Sequence, residues 1–488
     1  MSLTPDKFLN DQRVKKCLEQ LDATFGPPPK RPFVVSDVLD NEGHQYVNLV
    51  QKGGGVLGVA LVGYTYILEK MNIRFIRLAG TSAGAINTAL LLVTGKKQEA
   101  KSVPVLDAMC RLEFIDLVDG HPAARWLISK FIRHGDFTIR IKRFFTRLLL
   151  ALAFFLLADF ICLGLQFKML WVSILTKISF VITGLLVLVI GIIVTYIITL
   201  LKRLKNSGFG INPGDYFYDW IKERLKENGV EKVTELKSKA SQPVPGLHLR
   251  EGIESPQGVN DLDGDVTFIT SDLASKNKIQ FPEMWDLFRK DIDDLKPAGF
   301  IRASMSIPVF FESYFINDIP CKDEAIKKIW KKRFGETDPP STARFVDGGI
   351  LSNFPINLFY NPKVKTPRLP SFGIDLDDTR PEDTEKHPQG WSLLGYFGRI
   401  FNTIRSYYDK DFLIKNKFFK RGIGTIKLSE YNWLNFFLSD KDKVDMFVKG
   451  AEAATKFLTR FNWERYKNAR AEMKKELDDQ QSSDNPKT

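Results

Sequence analysis

Arg74-Phe75-Ile76-Arg77-Leu78-Ala79-Gly80-Thr81-Ser82-Ala83-Gly84-Ala85-Ile86-Asn87 is the stretch on which the fold turns. Arg74–Ala79 reads as a strand, and the apolar run Ala85–Val93 reads as a helix. Between them Gly80–Gly84 has the form G-x-S-x-G. A serine hydroxyl is a poor nucleophile until it is presented and deprotonated. A sharp strand-to-helix turn presents it at a helix N-terminus, with glycines two residues to either side where side chains would clash. The five-residue pattern alone is common by chance. Its position between an apolar strand and an apolar helix makes Ser82 the candidate nucleophile, with Gly80 and Gly84 shaping the elbow.

Working outward, Tyr46–Val50 reads as an earlier strand, Gly53–Gly58 as a glycine-rich turn and Val59–Met71 as a helix, with Leu61, Tyr64, Leu68 and Met71 near one face. Strand, turn and helix, twice over, imply an α/β fold with a parallel sheet and right-handed crossovers. Consecutive glycines let backbone N–H groups converge at the positive end of the following helix, which suits either a phosphate or an oxyanion. Gly53-Gly54-Gly55-Val56-Leu57-Gly58 formally matches a dinucleotide-binding loop. No acidic residue ends the next strand to hold a ribose, however, and no phosphate-binding lysine follows. An oxyanion hole formed by Gly53, Gly54, Gly55, Val56 and Gly58 is the preferred reading. Further on, Phe345–Val346 reads as a strand leading into Asp347-Gly348-Gly349. A carboxylate in an unhindered turn can exchange a proton with a serine, although a plain turn has the same sequence.

Together these segments resemble the patatin-like phospholipases, which carry a glycine-rich loop, a G-x-S-x-G elbow and a D-G-G/A motif in this order. Arg302–Phe310, Thr270-Ser271-Asp272-Leu273 and Asn353-Phe354-Pro355 are similar to further blocks of that family. The resemblance spans Tyr46–Leu117 and about Gly210–Asp378. It implies a three-layer α/β/α sandwich with a mostly parallel sheet. It also implies a Ser–Asp dyad with Ser82 as nucleophile and Asp347 as general base, supported by Gly348 and Gly349. No cofactor or metal is implied. The family usually has Arg or Lys where this chain has Leu57. The loop would then rely on backbone N–H groups and the helix dipole, which keeps a non-catalytic membrane scaffold as the alternative function. A Ser–His–Asp triad would need a histidine after the acid. Of His44, His121, His134, His248 and His387, only His387 follows Asp347, in a polar loop.

Leu148–Leu165 is apolar except for Asp159, and Ile178–Leu201 has no charge over 24 residues. At 1.5 Å per residue the second run crosses a hydrocarbon core of about 30 Å, and the first is borderline. Gln166–Lys177 lies between them, with Lys168, Trp171 and Lys177 as interface anchors. Arg140, Lys142, Arg143 and Arg147 precede the pair, and Lys202, Arg203 and Lys205 follow it. Positive charge at both outer ends predicts a membrane hairpin with both termini cytoplasmic. A pair of buried helices or a hydrophobic lid is the other reading, the weaker first helix leaves a re-entrant or monotopic arrangement open, and Asp159 faces either its partner helix or the interface.

The chain has 488 residues with a net charge of +12. That surplus favours an anionic partner. Without a nucleic-acid motif, an acidic lipid surface is preferred over nucleic acid, and the expected partners are the bilayer and a membrane lipid substrate. Cys17, Cys110, Cys162 and Cys321 lack metal or disulfide spacing and read as buried free thiols. The polar start Met1–Lys16 has no signal-peptide core, so the catalytic domain is not expected to be exported. Asp375-Leu376-Asp377-Asp378 is the one weak candidate for a calcium site. The aromatic and basic region Tyr407–Tyr466 reads as core packing or as a surface resting on lipid. The expected organisation is a helix and linker over 1–44, a first catalytic part over 45–140, the hairpin over 147–201, a second catalytic part over 210–380, and a helical region with a tail over 381–488. The expected function is a membrane-anchored serine lipid acyl hydrolase.

Overall fold

Every residue of Gln45–Gln51 (β1) is buried, as befits a strand covered on both faces. The chain continues through the helix Gly58–Lys70 (α2), the strand Ile73–Thr81 (β2) and the helix Ala83–Val93 (α3). In this computed structural model the described residues are 3–28, 32–122, 125, 137–165, 170–206, 208–253, 255, 258–379, 403 and 407–484. They include a helix before β1, Gln12–Phe25 (α1). Of the strands after α3, those that frame the site are Asp265–Asp272 (β3), Asn277–Phe281 (β4), Tyr314–Ile316 (β5), Ala343–Asp347 (β6), Ser371–Asp377 (β7) and Ile423–Lys427 (β8).

The sheet runs β8-β7-β1-β2-β3-β6-β5. Its first five strands are parallel to one another. β6 turns antiparallel against β3 and β5, and β4 pairs antiparallel with β3. Side-chain alternation along β2 divides the two faces. Leu78 lies with Leu91 and Leu92 of α3. Ala79, with Val50, joins Phe418, Phe419, Trp463 and Tyr466 in one cluster. Helices therefore cover both faces, giving the three-layer α/β/α sandwich expected from the sequence.

Two compact units divide the chain differently from the expected boundaries. One contains 1–119, 214–308 and 313–488, and the other contains 120–213 and 309–312. Residues 44 and 380 mark no division. α1 buries Val14, Cys17 and Leu21 on its inner face and packs on a late helix, Asp440–Arg460, which in turn packs on α2. β8 extends the sheet beside β7. The two chain ends thus complete the layers of the sandwich. Most of the aromatic C-terminal region is core: Phe418, Phe419 and Phe436 are buried, while Tyr407 and Tyr408 are exposed. Of the cysteines only Cys17 is buried, and the other three are half-exposed and free.

The second unit contains two long helices, Phe137–Leu165 (α4) and Leu170–Asn206 (α5). The expected spacer over 166–177 is shorter than the sequence suggested, because α5 begins at Leu170 and takes in Trp171 and Lys177; Lys168 lies outside the described residues. Both helices are long and apolar enough to cross a membrane. Their apolar side chains point outward, Phe154 at 65% and Phe160 at 78% exposure. Asp159 faces its partner helix: Thr183 Oγ1 donates to Asp159 Oδ2 at 2.6 Å, and both residues are buried. This pairing satisfies one carboxylate oxygen between the helices and leaves an apolar exterior.

Candidate active site

β2 ends at Thr81, and Ser82 begins the turn into α3 with φ 53° and ψ −121°. A non-glycine residue at positive φ with this ψ is strained and is held only when its surroundings over-determine it. Two features hold it. The Ser82 N–H donates to Ser304 Oγ at 2.9 Å, and Ser304 Oγ donates to the Ile269 carbonyl at 2.6 Å. The glycines let backbone segments pass at contact distance: a Cβ on Gly80 would collide with the Gly84 carbonyl, and one on Gly84 with the carbonyl of Gln51 in β1. Ser304 belongs to the Arg302–Phe310 block, whose similarity to the family gave no hint of this hydrogen bond.

Asp347 ends β6. Its partner across the ladder is Thr270 of β3, and the β3 residue beside it, Ile269, pairs with Thr81 on the other side. Ser82 and Asp347 therefore flank one point of β3, about 10 Å apart along the backbone by strand spacing. The turns themselves touch: a Cβ on Gly348 would lie 2.9 Å from Thr81 Cγ2, and Thr81 Oγ1 donates to the Ser352 carbonyl at 3.1 Å. Asp347 Oδ1 accepts the Gly349 N–H at 2.7 Å, which fixes the carboxylate against its own turn. Ser82 and Asp347 are both buried.

The glycine loop reaches the same place, since a Cβ on Gly53 would lie 2.9 Å from Ser82 Cβ. Most of its donors are already engaged. Gly53 N–H donates to the Asn353 carbonyl, Val56 N–H to the Trp433 carbonyl, and Leu57 N–H to the Gly54 carbonyl, all at 3.1 Å. The N–H of Gly58 is taken by the Gly55 carbonyl. The N–H groups of Gly54 and Gly55 have no acceptor among the described residues. Gly55 adopts φ +56°, and the Trp433 carbonyl presses on its Cα so closely that no side chain fits. Leu57 is fully buried, so its side chain contributes packing.

Asn353 joins the two halves of the site, because its Nδ2 donates to the Gly53 carbonyl at 3.1 Å. Asp409, which no motif pointed to, holds this turn from behind. Its Oδ2 accepts the N–H groups of Asn353 at 2.9 Å and Phe354 at 2.8 Å. Burial raises its pKa from 3.8 to about 6, outweighing those two bonds and the attraction of Lys52 and Lys278. Because the folded pKa is the higher one, the folded chain holds a proton between pH 4 and 6 that the unfolded chain has lost. Stability from this group is therefore greatest below pH 4 and declines as pH rises through 6. Asp409→Asn keeps an acceptor and removes the desolvated charge. Thermal unfolding should show the variant gaining on the native chain between pH 4 and pH 7, by on the order of 1–2 kcal/mol at this half-buried position. Asp409→Ala should instead lose about 1–3 kcal/mol throughout, by leaving two buried N–H groups unpaired.

Ser82 opens onto a cavity of about 40 Å³. Gly55, Gly58 and Ala83 line it together with Met109, Leu112, Phe217, Trp220, Met305 and Ile307. The walls are almost wholly apolar. Of the remaining sequence candidates, His387 lies outside the described residues. His44 Nδ1 pairs with Asp40 at 2.9 Å, and the ring of His248 bonds the Gly246 carbonyl. Asp375 pairs with Lys52 at 2.7 Å. Among the described residues no group of three or more His, Cys, Asp or Glu is arranged to hold a metal.

A sequence model of the family described as Patatin-like phospholipase matches residues 49–360, nearly two thirds of the chain. The chain belongs to the patatin-like phospholipase family. That family is one of lipid acyl hydrolases. The chain is 24% identical over 420 residues to the uncharacterized protein YqhO of Bacillus subtilis (strain 168), covering 86% of this chain and 100% of that protein. Among solved structures, VipD from Legionella pneumophila aligns with a TM-score of 0.34 at 13% identity, over 90% of this chain and 72% of that one. The matched residues take in the loop, the elbow and Asp347. Asp409, Trp433 and Phe436 reach the same region from beyond the family match.

Proposed function

We propose that this protein is a membrane-anchored serine hydrolase that cleaves acyl esters of membrane lipids through a Ser82–Asp347 dyad. The observation that carries the reading is the strained Ser82, set between a carboxylate-bearing turn and two backbone N–H groups without an acceptor among the described residues, on the wall of an apolar cavity. Ser82 Oγ attacks the ester carbonyl while Asp347 takes its proton. The N–H groups of Gly54 and Gly55, at the positive end of the helix that follows, receive the negative charge that develops on the carbonyl oxygen. Asp347 then returns the proton to the leaving alcohol, and water repeats the sequence on the acyl-enzyme. The apolar cavity suits the acyl chain. The test is covalent labelling with a fluorophosphonate probe followed by peptide mass spectrometry. Label on Ser82 is the expected result; an unlabelled Ser82 in folded protein favours the scaffold reading.

The helices α4 and α5 serve as the anchor, with both termini on the cytoplasmic side, as the basic residues at both outer ends of the pair suggest. Replacing 148–201 by a short Gly/Ser linker should move the protein from the carbonate-washed membrane pellet to the soluble fraction. Turnover of a soluble short-chain ester should persist, while hydrolysis of phospholipid in vesicles falls. A linker variant that still pellets would count against the anchor.

A further inference from the structure

Arg302 lies in the helix Pro297–Ser304 and is buried. A buried guanidinium is costly unless its N–H groups are bonded, and its planar fork fixes the groups it bonds. Here the bonds reach two separate segments. Nη1 donates to Ser306 Oγ at 2.7 Å, and Nε donates to the Gly214 carbonyl at 3.2 Å. Ser306 Oγ in turn donates to the Arg302 carbonyl at 2.9 Å, which closes the turn Arg302–Ser306 on itself.

That turn carries the backbone of both dyad residues. The Ser306 carbonyl accepts the Asp347 N–H at 2.8 Å. Ser304 Oγ accepts the Ser82 N–H at 2.9 Å. Arg302 is not among the residues that line the cavity at Ser82. Its guanidinium stands one step behind, on the segment from which Ser82 and Asp347 are both hung.

The bond to Gly214 gives the turn a fixed reference. Gly214 is the first residue of the larger unit after the stretch 120–213, which contains α4 and α5. It precedes the helix Asp215–Glu227 with φ 78°, a left-handed conformation that suits glycine. A Cβ there would lie 2.5 Å from Arg302 Nε, so the guanidinium fills the space that a side chain would need. Asp119, the last residue of the unit before that stretch, also grips Gly214. Its Oδ1 accepts the Gly214 N–H at 3.0 Å, and its Oδ2 accepts the Tyr216 N–H at 3.1 Å. The points where the chain leaves the unit and returns to it are thus bound together, and Arg302 joins them to the turn. We propose that Arg302 is a positioning residue of the active site, fastening the turn that holds Ser82 and Asp347 to Gly214, where the chain returns from the pair of long helices. The proposal rests on the dyad reading above. It makes the rate depend on a contact at Gly214, which lies outside the cavity walls.

Steady-state kinetics on the full-length protein in detergent, well below each variant's melting temperature, test it. A displacement of reacting groups by about 1 Å can cost about 10²-fold in rate, so Arg302→Gln, which loses the fork, should lower kcat for a fluorogenic acyl ester by about 10- to 100-fold. The rate of fluorophosphonate labelling should fall in parallel, while KM stays within about two-fold of native because the cavity walls are unchanged. Gly214→Ala should lower kcat in the same direction by pushing the guanidinium aside, and should add little in the Arg302→Gln background. The strain of alanine at positive φ is present in both backgrounds and cancels in that cycle. A purely structural role predicts lower melting temperatures with native kcat in the folded protein. If Arg302→Gln does not fold, Ser306→Ala takes its place. It removes the Oγ that receives Nη1 and keeps the carbonyl that holds Asp347, and the same fall in kcat is expected. Native kcat in folded Arg302→Gln, or in Ser306→Ala, would overturn the proposal and leave the dyad reading intact. Fully additive losses from Arg302→Gln and Gly214→Ala would overturn the link to Gly214. A native chain that neither labels at Ser82 nor turns over the ester would overturn the dyad reading and this proposal with it.

Discussion

Ser82→Ala is expected to lower turnover of a fluorogenic acyl ester by about 10⁴-fold or more, because it removes the atom proposed to form the acyl-enzyme. The fold should survive the change. The hydrogen bond to Ser304 uses the Ser82 backbone N–H, which alanine retains. The elbow strain lies in the backbone at φ 53°, and alanine bears it as serine does. Melting temperature should therefore stay close to that of the native chain while fluorophosphonate labelling disappears. That combination separates loss of the nucleophile from loss of structure. Equal turnover by both forms would remove the enzyme reading altogether.

The elbow was legible in the sequence because its cause is local. A strand, a tight turn and a helix must follow one another within some twenty residues, and the glycines needed for backbone contact stand at fixed spacing. The pair of long helices was legible for the same reason, since two long apolar runs, the second free of charge, need no tertiary partner to be recognised. The remaining site features depend on contacts across the chain. Trp433 takes the Val56 N–H from nearly four hundred residues away, and nothing in Gly53–Gly58 signals that this donor is occupied. Asp409 reaches Asn353 and Phe354 from a helix outside the recognised motifs, as one acid among many. The boundaries expected at 44 and 380 followed composition. α1 and β8 lie outside them yet belong to the sandwich, because an amphipathic helix and an added strand complete its layers wherever they fall in sequence. Leu57 marked a departure from the family pattern, and its burial shows that the position has been given over to packing.

Asp347→Asn should lower kcat for the same ester by about 10³-fold or more, with a small effect on KM. The amide oxygen still accepts the Gly349 N–H, so the turn that places the residue is kept. The backbone N–H of residue 347 still reaches the Ser306 carbonyl, and the ladder to Thr270 is unaffected. On the proposed dyad, what is lost is the capacity to take a proton from Ser82 at the moment of attack. A general base acts only in the transition state, so the loss belongs in kcat and leaves ground-state binding in place. Asp347→Ala is the less informative variant, because it also breaks the bond to Gly349 and loosens the turn beside Thr81. A structural role alone would show the reverse ordering: Asn near native activity and Ala impaired. A dyad requires both substitutions to be nearly inactive, with only Ala less stable. Measuring kcat and melting temperature on the same two proteins decides between these outcomes, and nucleophilic rescue of neither variant by added imidazole would agree with a base that must sit within reach of a buried Ser82.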